Sequence, residues 1–314
     1  MRIAVIGAGA MGGLFAARLS GSGQDVSLID VAPVQIEAIE VNGLRMTDEA
    51  GEKTYPLPIG AADRYTGIFD LLIVFTKGMH TEAALTAARH LIGPETFALT
   101  VQNGIGNVET IERFISRDRI VMGMTNWPST LVAPGHIRVP GDGQIRIWAA
   151  DGTPSARLED VCAMLDDAGL NCELDPAVEV AIWEKLAFNA ALNSLAAAAD
   201  LTVGEMADRR EARDIVFAIL WETLAVAKAK GIGVDADRTR KSVEHAFAHH
   251  RSHKPSMLQD YLAGRPMEIG TITGAVAAEA TRQSVPTPVT TAFANLLSIL
   301  NSECYLDRPS ISSS

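Results

Sequence analysis

The β-branched run Ile3-Ala4-Val5-Ile6 leads without a break into Gly7-Ala8-Gly9-Ala10-Met11-Gly12. A short apolar strand, a glycine-rich turn and a helical stretch over residues 11–19 form the opening of a βαβ unit. Each glycine has its own reason to be there. Gly7 permits the tight turn, Gly9 lets the backbone approach a pyrophosphate, and Gly12 lets the helix pack on the strand. The helix start, with Ala10 and Met11, offers free N–H groups and partial positive charge to phosphates. An ordinary glycine-rich turn would read the same way in isolation. The strand before and the helix after it favour a dinucleotide.

Asp30 follows Gly12 by 18 residues, at the end of a second apolar strand over 26–29. A carboxylate there accepts hydrogen bonds from the adenosine ribose hydroxyls. A 2′-phosphate at the same place would meet a like charge. No Lys or Arg lies between Arg18 and Arg45 to offset it. Asp30 therefore favours NAD(H) over NADP(H), unless it is a plain turn residue after a strand.

Further apolar strands are expected at 70–75, 96–101 and 120–124, with helical patterns from Pro33 and over 81–90. Strands alternating with helices imply a parallel sheet. Short Gly- and Pro-punctuated strands near 136–139 and 144–148 suggest an antiparallel extension of it. After Asp175-Pro176 the pattern turns helical, over 178–199, 209–230, 235–249, 268–283 and 288–302. The expected architecture is α/β: a Rossmann-type dinucleotide-binding domain over 1–175 and an all-helical domain over 176–308, with a frayed tail at 309–314. A hinge near Asp175 would suit a cleft that closes on its ligands.

At 314 residues two domains are the natural expectation, and each is long enough to bury a core. Lys and Arg number 27 against 38 Asp and Glu, for a formal net charge of −11. An acidic chain whose basic residues do not cluster argues against a nucleic-acid partner. The basic stretch over 238–254 reads as a solvated face. Cys162, Cys172 and Cys304 are odd in number and irregular in spacing, which suits reduced thiols in a cytoplasmic protein rather than disulfides or zinc. His249, His250 and His253 lack partners for a metal site, so no metal is expected. The apolar start is interrupted by glycines, unlike a signal peptide, and the longest apolar stretch, 186–199, falls short of a membrane span.

Within the 178–199 helix, Lys185, Asn189 and Asn193 fall at i, i+4 and i+8, on one face among apolar neighbours. A buried Lys is costly unless it is paired or functional. The stripe suits a polar substrate in a cleft. It equally suits a Lys that snorkels to solvent and amides that bond a domain interface.

Several segments together resemble the ketopantoate reductase (2-dehydropantoate 2-reductase) family. They are the GAGAMG turn, Lys77 after LLIVFT, Gln102-Asn103-Gly104 after a strand, the WEKLAFNAALN helix, and Ser256-Met257-Leu258-Gln259-Asp260 followed by Glu268-Ile269-Gly270. The resemblance spans nearly the whole chain, in order. It implies hydride transfer from a nicotinamide, usually NADP(H), to a 2-oxo acid in pantothenate biosynthesis. By the same resemblance Lys185 is the general acid and Glu268 a carboxylate that orients it or the ribose. Lys77 contacts cofactor, Asn103 lies at the nicotinamide and substrate end, and Asn189, Asn193 and Ser256 contact substrate.

The chain departs from the family pattern in four places. Asp30 replaces a common Arg, Val203 and His253 stand where Asn is frequent, and Ile-Gly-Thr-Ile-Thr-Gly follows Glu268 in place of Ile-Asp-x-x-Asn-Gly. These departures leave open a related 2-oxo or 2-hydroxy acid as substrate. A 3-hydroxyacid dehydrogenase of the hydroxyisobutyrate type and a non-catalytic nucleotide sensor are the alternatives. The partner is a small molecule, and the apolar C-terminal helices would serve either a homodimer or the domain's own core.

Overall fold

A strand buried on both faces has to be apolar along its whole length. In the computed structural model, which describes residues 1–301, the first strand satisfies this: Ile3 and Val5 join one apolar core while Ala4 and Ile6 join another on the opposite face. Ser302, Cys304 and the tail at 309–314 lie outside the described residues. The chain divides into two units, one formed by Met1–Gln102 and Gly106–Val178, the other by Asn103–Ile105 and the chain from Glu179 onward.

The strands of the first unit are β1 (Arg2–Ile6), β2 (Asp25–Ile29), β3 (Leu44–Asp48), β4 (Gly51–Tyr55), β5 (Ile59–Gly60), β6 (Leu71–Val74), β7 (Phe97–Thr100), β8 (Ile120–Thr125), β9 (Thr130–Ala133), β10 (His136–Arg138), β11 (Ile145–Ala149) and β12 (Cys172–Leu174). Its helices are α1 (Ala10–Gly21), α2 (Pro33–Asn42), α3 (Thr81–Ala87), α4 (Asn107–Glu112) and α5 (Ala156–Asp167). The main sheet runs β12-β11-β8-β7-β6-β1-β2-β5. Its pairs from β8 through β5 are parallel, and β11 is antiparallel to β8. The strand order reverses beside β1, with β2 on one side and β6 on the other. An open α/β sheet leaves a ligand-binding crevice at the carboxyl ends of its strands at such a switch point.

The segment at 144–148 is the expected antiparallel extension. The segment at 136–139 is not: β10 joins a separate four-stranded sheet, β4-β3-β10-β9, by pairing parallel to β3. The cause is a long-range pairing that carries no local signal. The expected helix at 81–90 ends at Ala87 and gives way to a 3₁₀ turn over Arg89–Leu91.

The second unit is helical: α6 (Val178–Ala199), α7 (Val203–Asp208), α8 (Arg210–Ala229), α9 (Ala236–His249), α10 (Ser256–Leu262), α11 (Thr273–Gln283) and α12 (Pro288–Leu300). Trp183, Leu186, Ala187, Ala190 and Ala191 of α6 are buried in its core with Val216, Ile219 and Leu220 of α8. Asp235 caps α9, its carboxylate accepting from the Arg238 N–H at 2.9 Å. The helix expected from Glu268 begins later. Glu268 does not begin a helix, because Ile272 has a non-helical backbone (φ −110°, ψ −100°) and α11 starts only at Thr273. Residues 268–272 instead form a turn in which Ile272 N–H reaches the Glu268 carbonyl at 3.2 Å. Among the described residues no helix is long and apolar enough to cross a membrane, and no group of three or more His, Cys, Asp or Glu could hold a metal ion.

Candidate active site

The glycine turn closes the carboxyl end of β1. Gly7 N–H bonds the Ile29 carbonyl at 2.7 Å, and Phe75 N–H bonds the Ile6 carbonyl at 2.8 Å, so the turn is held to both neighbouring strands. Gly7 has φ +102°, and a Cβ there would lie 2.8 Å from the Phe75 backbone. A Cβ on Gly12 would lie 1.8 Å from the Gly7 carbonyl oxygen. Both glycines are therefore demanded from within. Gly9 is different: a Cβ there would meet nothing within 4 Å, and its φ is an ordinary −74°. The space before the helix suits a group from outside the chain. The first backbone bond into α1 is Gly13 N–H to Gly9 carbonyl, at 2.8 Å. The N–H groups of Ala10, Met11 and Gly12 thus have no intrahelical acceptor, which is the arrangement that binds a pyrophosphate. The residues present fit a dinucleotide.

Asp30 is woven into the same turn. One carboxylate oxygen accepts the Ala8 N–H at 2.6 Å, and the other accepts Val31 and Ala32 N–H at 2.7 and 2.8 Å. These bonds orient the carboxylate beside the glycine loop and use three of its roughly four acceptor directions. Gln35, which the sequence reading did not single out, is buried and acts as a second brace. Its amide nitrogen donates to the Ala8 carbonyl, and its oxygen accepts Gly135 N–H at 3.0 Å. The available signal was a Gln on the inner face of an otherwise apolar helix start.

Lys77 follows β6 and is part-buried. The turn beside it is pinned by Gln102, whose amide donates to the Thr76 carbonyl at 2.6 Å and to Thr81 Oγ1 at 3.0 Å. Thr100 Oγ1 donates to the Gln102 side-chain oxygen at 2.9 Å. Gln102 belongs to the first unit, whereas its neighbour Asn103 is grouped with the second.

In the second unit the structure brings Lys185 under the influence of Glu268. The Lys185 residue is only part-buried, but its ammonium is desolvated. Burial pulls its pKa down from 10.5 to about 8, and the Glu268 carboxylate opposes that pull. Such an amine can release a proton near neutral pH. Asn189 is part-buried one turn further along α6. Asn193 is 3% exposed, and its side-chain oxygen accepts the Met257 N–H at 2.9 Å and the Ser256 hydroxyl at 3.2 Å. Asn193 and Ser256 thus form one hydrogen-bonded pair at the start of α10, with Ser256 exposed. The departures at Val203 and His253 also share one place: Val203 N–H bonds the His253 carbonyl at 3.0 Å, and the Val203 side chain is in the core.

A doubly wound sheet with a glycine turn at the carboxyl end of its first strand, and a desolvated lysine under the influence of a carboxylate, suit a nicotinamide-dependent oxidoreductase. Residues 3–152 match the family model described as ketopantoate reductase PanE/ApbA, and residues 177–301 match that of the PanE/ApbA C-terminal domain. The chain belongs to the ketopantoate reductase family. A 2-dehydropantoate 2-reductase from Lactococcus lactis subsp. lactis (strain IL1403) is 32% identical over 293 residues, covering 92% of this chain and 94% of that protein. Among solved structures, a D-mandelate dehydrogenase with NADH and anilino(oxo)acetate is 30% identical with a TM-score of 0.90, covering 95% of this chain and 98% of that one. The 2-dehydropantoate 2-reductase from Geobacter metallireducens GS-15 is also 30% identical, with a TM-score of 0.88, covering 95% and 99%. These relatives do not favour the 3-hydroxyacid or non-catalytic alternatives.

Proposed function

We propose that this protein reduces a 2-oxo acid to the 2-hydroxy acid with NADH, and that Lys185 is the general acid. When bound, the reduced nicotinamide supplies the hydride that adds to the carbonyl carbon. Lys185 gives the proton from Nζ to the carbonyl oxygen, and before doing so its positive charge favours the developing alkoxide. Glu268 keeps the ammonium protonated long enough to act, by raising a pKa that burial lowers. Ser256 is assigned to the substrate carboxylate; its single O–H hydrogen, which the Asn193 side-chain oxygen accepts, has to turn to the carboxylate for that contact, while Asn193 holds the start of α10 through the Met257 N–H. Asn103 is assigned to both the nicotinamide and the substrate, and Asn189 to the substrate. Gly7, Gly9, Ala10, Met11, Gly12, Asp30 and Lys77 would hold the dinucleotide. The observation that carries the reading is the desolvated Lys185 beside Glu268 in a chain of this family.

NADH is preferred because the Asp30 carboxylate sits against the glycine loop, where a 2′-phosphate would be repelled. Initial rates with 2-dehydropantoate, NADH and NADPH side by side test both claims. We expect NADH to be used more efficiently, and Asp30→Ala to narrow the difference. A clear preference of the wild type for NADPH overturns the assignment of Asp30. A second substrate reading has specific support: the paired departures at Val203 and His253, and the likeness to a D-mandelate dehydrogenase. It predicts higher kcat/KM for an aryl 2-oxo acid such as phenylglyoxylate than for 2-dehydropantoate.

A further inference from the structure

The segment after β7 is unusual in its allegiance. Gln102 is bonded into the first unit through Thr76, Thr81 and Thr100, yet the next three residues, Asn103–Ile105, pack with the second. What holds them there is backbone. Ile105 N–H donates to the Thr271 carbonyl at 2.9 Å, and the Ile105 side chain packs against the helical core. Gly104 makes that bond sterically feasible. Its φ is +86°, and a Cβ would lie 2.0 Å from the Thr271 carbonyl oxygen and 2.6 Å from the carbonyl carbon. Neither atom is the end of a flexible side chain, so any side chain at 104 must push the two segments apart. Thr271 lies in the 268–272 turn, three positions after Glu268.

We propose that Gly104 is a positioning residue: by lacking a side chain it lets the Asn103–Ile105 turn seat on the Thr271 carbonyl, and so sets Asn103 and Glu268 in one rigid piece. The proposal rests on the reading of Lys185 and Glu268 given above. It concerns how the amide assigned to the nicotinamide end and the carboxylate that tunes the acid share a single backbone contact. Misplacing reacting groups by about 1 Å can cost on the order of a hundredfold in rate.

Gly106 supplies the control. Its φ is +92°, as left-handed as Gly104, but a Cβ there would meet nothing within 4 Å. Gly104→Ala and Gly106→Ala therefore share the backbone strain and differ in the collision. For Gly104→Ala we expect kcat to fall roughly 10- to 100-fold, with the Kd for NADH within about threefold of wild type. We also expect the limb of its pH–rate profile near pH 8 to move to lower pH, because Lys185 loses support from a displaced Glu268. Gly106→Ala should keep both the limb and the rate close to wild type. Gly104→Ala with wild-type kcat and an unmoved limb overturns the proposal, as does an equal loss in both variants. A wild-type profile with no limb near 8 would count against the reading of Lys185 instead. In that event, or if Gly104→Ala does not fold, amide hydrogen exchange of the wild type decides. The Ile105 amide should be protected to the same degree as Ile272 and Gly274, and exchange at the rate of an open loop overturns the proposal.

Discussion

An ammonium stripped of water releases its proton more easily, and at Lys185 this places the change near the pH at which the enzyme would work. For a general acid the sign is fixed. Reduction should be fastest while Lys185 is protonated and should decline as pH rises through about 8, whereas oxidation of the hydroxy acid should gain over the same range. Rates in both directions from pH 6 to 10 check this, and two parallel profiles would contradict it. Stability should move the other way from reduction. Between about 8 and 10.5 the unfolded chain holds the Lys185 proton and the folded chain does not, so folded stability rises with pH across that window. Below about 8 both states are protonated and the desolvation penalty is present in full. Lys185→Met should therefore lower turnover by about 10²–10⁴-fold. It should also raise stability to urea at pH 7 by about 1–3 kcal/mol, a gain that shrinks as pH increases.

Short elements depend on residues far away, and α10 shows how. Its seven residues begin beneath the Asn193 side chain, which stands in for the missing acceptor at the helix start. Asn193→Ala should cost about 1–2 kcal/mol, the usual range for a lost cap with a buried donor left behind. Urea unfolding measures that cost, and a raised substrate KM should accompany it, because the start of α10 that carries Ser256 is no longer held in place. The same dependence explains what could be read from the sequence. The 22 residues of α6 give enough turns for an apolar pattern, so Lys185, Asn189 and Asn193 could be aligned on one face in advance. The glycine turn was legible because its three glycines and flanking elements are contiguous. The start of α10 was not, since its cap sits on another helix. The strand at β10 was legible too, but its sheet was not, because its parallel partner β3 lies about ninety residues earlier and its own three residues do not select it. Asp30 was legible as a carboxylate at the end of β2, but its bond to Ala8 N–H was not, because that contact exists only once β1 and β2 are paired.

For the whole molecule, binding and folding are linked through Gly9, the glycine of the turn whose added Cβ would meet nothing in the fold. NADH at a hundred times its Kd should stabilise the native chain by about 2.7 kcal/mol. Gly9→Ala should melt like wild type without cofactor, since its Cβ meets nothing, yet should lose most of that thermal shift. Gly12→Ala, driven into the Gly7 carbonyl, should melt lower with or without NADH. Differential scanning fluorimetry of the three proteins separates these outcomes. The division of the chain into interleaved units also bears on how such enzymes can be recombined. A single crossover at Val178 between two family members would carry Lys185, Asn193 and Glu268 together, but would leave behind the three residues that nest on Thr271. That nest is made from a carbonyl, an amide and a glycine, with the Ile105 side chain packed on the helical core, so a foreign turn would fit it where it keeps the glycine and an apolar residue at 105. Chimeras joined there should inherit their substrate preference from the helical half and their cofactor preference from the other, with the graft surviving wherever position 104 has no side chain and position 105 an apolar one.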